Sequence, residues 1–122
     1  MDTVRVAMAQ MLVEGGEPDA NMARAVARIA DAAKQGCDVA LLPECLDLGW
    51  THPSAKELAQ PIPGPRTDQL AEAARQGGVY VVAGLTERVD GGARNTSVLL
   101  APSGDLLLQH SKINLLDIAR DV

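Results

Sequence analysis

The sequence predicts an α/β fold with a mixed sheet, and two observations carry that prediction. Apolar spacing along the chain switches between a period of two and a period of three to four, the mark of strands alternating with helices. An opening order of strand, helix, strand, helix implies right-handed crossovers between parallel strands, whereas the last third reads as three strands joined by tight turns, which pair antiparallel. With 122 residues and 47% hydrophobic content the chain can bury a core of its own. No repeat or low-complexity tract divides it, so residues 1–122 are expected to form one domain.

"VRVAMAQM" (4–11) alternates and reads as the first strand. Gly and Pro punctuation follows, and Asp19 is expected to cap a helix running to about Gln35. Its apolar stripe is Met22, Val26, Ile29 and Ala33, with Arg24, Arg28, Asp31 and Lys34 toward water and Gly36 as the stop. "CDVALLPE" (37–44) is nearly all apolar, as expected of a strand covered on both faces, and it ends where Glu44 begins. The stretch from Cys45 to Thr67 is rich in Pro and Gly and reads as a long connection with one helical turn around Ser54 to Ala59. Thr67 is placed to cap a second helix, Asp68 to about Gln76, stopped by Gly77 and Gly78. "VYVVAGLTERV" (79–89), "NTSVLLAP" (95–102) and "LLLQHSKI" (106–113) then give three strands, turned by "DGG" and "SGD".

Composition narrows the function. A net charge of −5 with scattered basic residues argues against nucleic acid and anionic membranes as partners. No apolar run approaches the ~20 residues of a membrane helix, and the first ten residues lack a signal-peptide pattern. Two cysteines, Cys37 and Cys45, make no disulfide framework, so a reducing cytoplasm is expected. Without C-x-x-C or H-x-x-H spacing no metal is expected, and no Gly-rich loop suggests a cofactor. There is no Phe, one Trp and one Tyr, so the core must be built from Val, Leu, Ile and Ala.

Sites in open α/β sheets gather beyond the carboxyl ends of strands, where this reading places Glu44. Adjacent Glu44 and Cys45 suggest a thiol hydrolase, yet neighbours on a strand point to opposite faces, so Cys45 reads better as a small buried hydrophobe. Cys37, at the start of a strand, reads as structural. Taken alone, Glu44 is a capping or solvated carboxylate and Lys112 a strand-end surface lysine. His110 shares a strand face with Lys112 and is either a site neighbour or a cross-strand partner. Trp50 and His52 lie on the loop after Glu44, as substrate-pocket walls or as loop packing.

Together "VRVAMAQM", "LLPE", "PIPGP" before a helix, "VYVVAGLTER" and "NTSVLLAPSGDLLLQHSKINLL" occur in the order and spacing that resemble the nitrilase superfamily of carbon–nitrogen hydrolases. That resemblance covers essentially the whole chain and implies an αββα sandwich with a Glu, Lys, Cys triad. It places Glu44 as the general base and Lys112, 68 positions later, as the stabiliser of the developing oxyanion, the two held close in a partly dry site. The implied reaction is attack on a nitrile, amide or N-carbamoyl carbon, a thioester intermediate and its hydrolysis, with no cofactor.

One departure is plain: no cysteine follows Lys112, and the chain ends ten residues later at "DIARDV". The expectation is therefore the N-terminal portion of such a domain, truncated before its nucleophile and inactive alone. It would be completed by a complementing chain or continuation, act then on a small amide or nitrile, and self-associate as a homo-oligomer through an uncovered sheet face. The alternatives are a catalytically dead nitrilase-like module that binds partners or oligomerises, and an unrelated thiol enzyme using Cys45.

Overall fold

A computed structural model describes residues 2–113. Strands β1 (Val6–Met8), β2 (Val39–Leu41), β3 (Tyr80–Val89), β4 (Gly92–Leu100) and β5 (Leu106–Ser111) form one sheet in the order β1-β2-β3-β4-β5. Helix α1 (Pro18–Lys34) connects β1 to β2, while the single turn α2 (Ala55–Leu58) and helix α3 (Pro65–Gly77) lie between β2 and β3. The first three strands are parallel and the last three antiparallel, so the sheet is mixed as the sequence implies.

Several boundaries differ from the sequence reading for local reasons. The first strand spans three residues rather than 4–11, since pairing beyond Met8 continues only as far as the Ala9 N–H on Leu41 O, at 2.9 Å. The second also spans three residues rather than 37–44, because Pro43 has no N–H to extend the ladder. Glu44 therefore follows the strand in a turn, and does not end it. At the start of α1, Pro18 takes the first helical position and Glu17 precedes it, leaving Asp19 in the first turn, where it favours the helix dipole without capping. Thr67 likewise sits inside α3, whose cap is Gly64; its Oγ1 accepts the Gly64 N–H at 2.8 Å.

The registers place two neighbouring rows of side chains across all five strands. Ala7, Ala40, Val81, Leu100 and Leu106 form one row, and it faces α1 and α3. Met22, Ala25 and Ile29 of α1 and Leu70 and Ala74 of α3 close over it, and the two helices pack against each other. Each large residue in this layer stabilises the fold by roughly 1.5–3 kcal/mol through burial. The next row, Met8, Leu41, Val82, Leu99 and Leu108, points the other way and is just as apolar. Nothing among the described residues covers it, and Met8 is 81% exposed and Leu108 65%. The expectation that β2 is covered on both faces is thus corrected: Ala40 is buried, and Leu41 is open. The "DIARDV" tail lies outside the described residues.

Candidate active site

Beyond β2 the chain turns back and lies on β3. Gly84 permits the approach, since a Cβ there would stand 2.6 Å from Glu44 Cα. Its N–H donates to Pro43 O at 3.1 Å and its carbonyl accepts Leu46 N–H at 2.9 Å, so the turn is stitched to the strand on both sides of Glu44. Asp47 anchors the turn from inside. Its fully buried carboxylate accepts the Leu48 N–H at 2.9 Å, the Thr86 N–H and hydroxyl at 3.1 Å, and the Arg66 guanidinium of α3 at 3.0 Å. Asn21 of α1 adds a bond from Nδ2 to Asp47 O at 2.8 Å. A buried charge must be paired and hydrogen-bonded to be tolerated, and this one is.

Glu44 projects from that anchored turn toward β4 and the end of β5. Its Oε1 accepts the Lys112 ammonium at 3.2 Å and the side-chain amide of Asn95. Lys112 is itself placed by β4, its backbone N–H donating to Asn95 O at 2.8 Å. The Asn95 hydrogen bond, reinforced by the Lys112 ammonium, holds the Glu44 carboxyl below its ordinary value of 4.5 against the opposing effect of partial burial. The two residues that the sequence separates by 68 positions are therefore in contact. Their side chains are 48% and 40% exposed, however, so the partly dry site expected from the sequence is not formed by the described residues. The cause is the open sheet face beside them. An ion pair this exposed contributes at most about 1 kcal/mol to stability.

A cleft of about 190 Å3 lies beside Lys112, and Cys45, Trp50, His52, Thr86, Asn95 and Lys112 contribute to its wall; Glu44 does not line it and reaches it through its contacts with Asn95 and Lys112. Trp50 and His52 are thus brought to the site. The His52 ring lies against Gly15, where a Cβ would stand 2.4 Å from Cδ2, and its Nδ1 is 2.8 Å from Ser54 Oγ. His110 is not brought in: it stands exposed on β5 opposite Ser97.

Cys45 needs a correction of position. Strand alternation would send it away from Glu44, but it sits in the turn with φ 47° and its side chain borders the same cleft. It is buried, and burial together with the Glu44 charge pushes its thiol up to about 11. Such a thiol is overwhelmingly protonated at neutral pH, the opposite of an activated nucleophile. Cys37 is half-buried and packs against the edge of the core.

Sequence reasoning missed Asn95, Gly84, Asp47, Arg66 and Thr86. Two of them carried a signal. Asp47 stands between Leu46 and Leu48, both fully buried, and a charge within an apolar run marks a paired, buried carboxylate. Asn95 lies in a strand, where Asn is disfavoured without a specific partner.

Comparisons with known proteins identify the family and the fold. The carbon-nitrogen hydrolase family model matches residues 5–122. The chain is 40% identical over 119 residues to the omega-amidase NIT2 of Danio rerio and 36% identical to that of Mus musculus. Each alignment covers 97% of this chain and 43% of the relative, so the chain spans less than half the length of these relatives. Among solved structures, a CN-hydrolase superfamily protein of Xanthomonas campestris with an arsenic adduct in its active site superposes with a TM-score of 0.84 at 23% identity, covering 95% of this chain and 43% of that one. An amidase from Nesterenkonia sp. gives a TM-score of 0.81 at 22% identity, covering 94% and 44%. Among the described residues no helix is long and apolar enough to cross a membrane. The chain belongs to the carbon–nitrogen hydrolase family of the nitrilase superfamily, and its α/β sheet corresponds to the N-terminal portion of that fold.

Proposed function

We propose that this chain supplies the glutamate and lysine of an amide-hydrolysing site whose nucleophilic cysteine comes from another segment. The observation that carries this reading is the contact of Glu44 with Lys112 beside a cleft, in a chain similar to omega-amidases. Glu44, ionised at neutral pH, takes the proton of the incoming thiol as it attacks the amide carbon. Lys112 stands where its ammonium stabilises the negative charge that develops on the amide oxygen. Glu44 returns the proton to the departing ammonia and then takes one from the water that hydrolyses the thioester. Trp50 and His52 form part of the wall against which the substrate lies, and the reaction needs no cofactor. The setting proposed is cytoplasmic, with the open sheet face covered by the completing segment or by another copy.

The test is a chimera in which this chain replaces the matching 43% of the Danio rerio relative. It is expected to release ammonia from that enzyme's amide substrate, and Glu44→Gln is expected to lower the rate at least about 100-fold. A folded chimera that is equally active with Glu44→Gln would overturn the reading. A second reading, a non-catalytic module for oligomerisation or partner binding, is favoured by the apolar row that no described residue covers. It predicts a chimera that folds and releases no ammonia. The thiol-enzyme alternative predicts rapid alkylation of Cys45 by iodoacetamide at pH 7; with the thiol pushed up to about 11, labelling is expected only after denaturation.

A further inference from the structure

One residue touches both members of the Glu44–Lys112 pair. Alternation along β4 turns Thr96 and Val98 toward the helices and Asn95 toward the open face. From there the Asn95 side-chain amide donates to Glu44 Oε1, while the Asn95 backbone carbonyl accepts the Lys112 backbone N–H at 2.8 Å. Lys112 Nζ reaches the same Oε1 at 3.2 Å, closing a ring of three residues drawn from the turn after β2, from β4 and from the end of β5. Both donors fall on one carboxylate oxygen. Among the described residues Oε2 accepts no hydrogen bond.

We propose that Asn95 is the positioning residue of this site: it clamps Glu44 by Oε1 from the strand position that also seats Lys112, leaving Oε2 as the oxygen that takes and returns the proton. The inference rests on the functional reading of Glu44 and Lys112 given above. A neutral amide suits the task. A second cation at this position would compete with Lys112 for the carboxylate, whereas an amide fixes the carboxylate plane and keeps doing so when the Lys112 ammonium turns toward a developing oxyanion. The clamp also has a rigid base, because Asn95 lies in register with Thr86, whose N–H and hydroxyl are held by buried Asp47. Among the described residues the charged group that acts on Glu44 is Lys112, and the titratable neighbour is the Cys45 thiol.

The experiment is a carbon-13 NMR titration of the Glu44 carboxyl in the full 122-residue chain, its resonance assigned with Glu44→Gln. Asn95→Leu, similar in size and without a donor, is expected to raise the Glu44 midpoint by roughly half a pH unit or more. Ser97→Ala, on the same strand face two residues away, is expected to leave it in place. If Asn95→Leu does not fold by circular dichroism, Asn95→Asp serves instead; it removes the donor, adds a like charge and raises the midpoint further. Lys112→Met raises the midpoint independently. An unmoved midpoint in folded Asn95→Leu or Asn95→Asp, with Lys112→Met still raising it, overturns the Asn95 clamp and leaves the Glu44–Lys112 reading standing. A midpoint moved by Asn95→Leu and not by Lys112→Met overturns the functional reading and keeps the clamp, and one moved by neither overturns both.

Discussion

The two rows that cross this sheet side by side are equally apolar and do opposite things. Ala7, Ala40, Val81, Leu100 and Leu106 lie under α1 and α3; Met8, Leu41, Val82, Leu99 and Leu108 have no cover among the described residues. The first row gains its stability inside the chain. The second row offers the same hydrophobic surface to whatever meets it, and the Glu44, Asn95 and Lys112 cluster stands on that second face. The packed core and the proposed site thus lie on opposite sides of one sheet, with Asp47 as the link that fastens the Glu44 turn to β3.

That link is where the largest effect is expected. Asp47→Ala strands Arg66 and the Thr86 N–H in a buried setting and should cost about 3–5 kcal/mol, read by urea unfolding. A cost under about 1 kcal/mol would mean that the turn is held by something else. Next comes Leu100→Ala in the covered row, expected to cost about 2–5 kcal/mol because Leu100 is fully packed. Leu108→Lys, on the sheet face away from the helices and 65% exposed, should change stability by less than about 0.5 kcal/mol and instead shift association. Light scattering on the unmodified chain is expected to show self-association, and Leu108→Lys with Met8→Lys to reduce it. A monomer at the outset would show that the open face needs no cover. The smallest effect belongs to Lys112→Met, at most about 1 kcal/mol. Its sign with pH is fixed: the Glu44 carboxyl is held below 4.5 in the fold, so the pair contributes fully above that value and its contribution disappears as pH falls through the lower, folded value. A difference between Lys112→Met and the unmodified chain that persisted well below pH 4.5 would have another origin.

Much of this was legible in the sequence because it is local. Periodicity located both long helices and all five strands, and the Gly-containing turns predicted the antiparallel half. The early strand ends were not legible, since the length of β1 and β2 depends on where Pro43 and the returning turn interrupt pairing. At the site, the ordered motifs pointed to Glu44 and Lys112, but strand alternation misplaced Cys45, which a left-handed turn residue brings round to the cleft. Gly84 was invisible, and Asn95 showed only as an Asn out of place in a strand, because their significance comes from what other segments lay against them: the Glu44 backbone for Gly84, the Glu44 carboxylate 51 positions away for Asn95. Exposure of the site also escaped prediction, since it depends on a face whose neighbour is not among the described residues.

The central claim is that Glu44 works with distant Lys112 and not with adjacent Cys45. The most direct test compares Lys112→Met and Cys45→Ala in the chimera with the Danio rerio relative, by initial rates of ammonia release. The account predicts a loss of at least about 100-fold for Lys112→Met and a rate within about threefold of the parent for Cys45→Ala. Loss of activity in Cys45→Ala, with Lys112→Met still turning over, would contradict it.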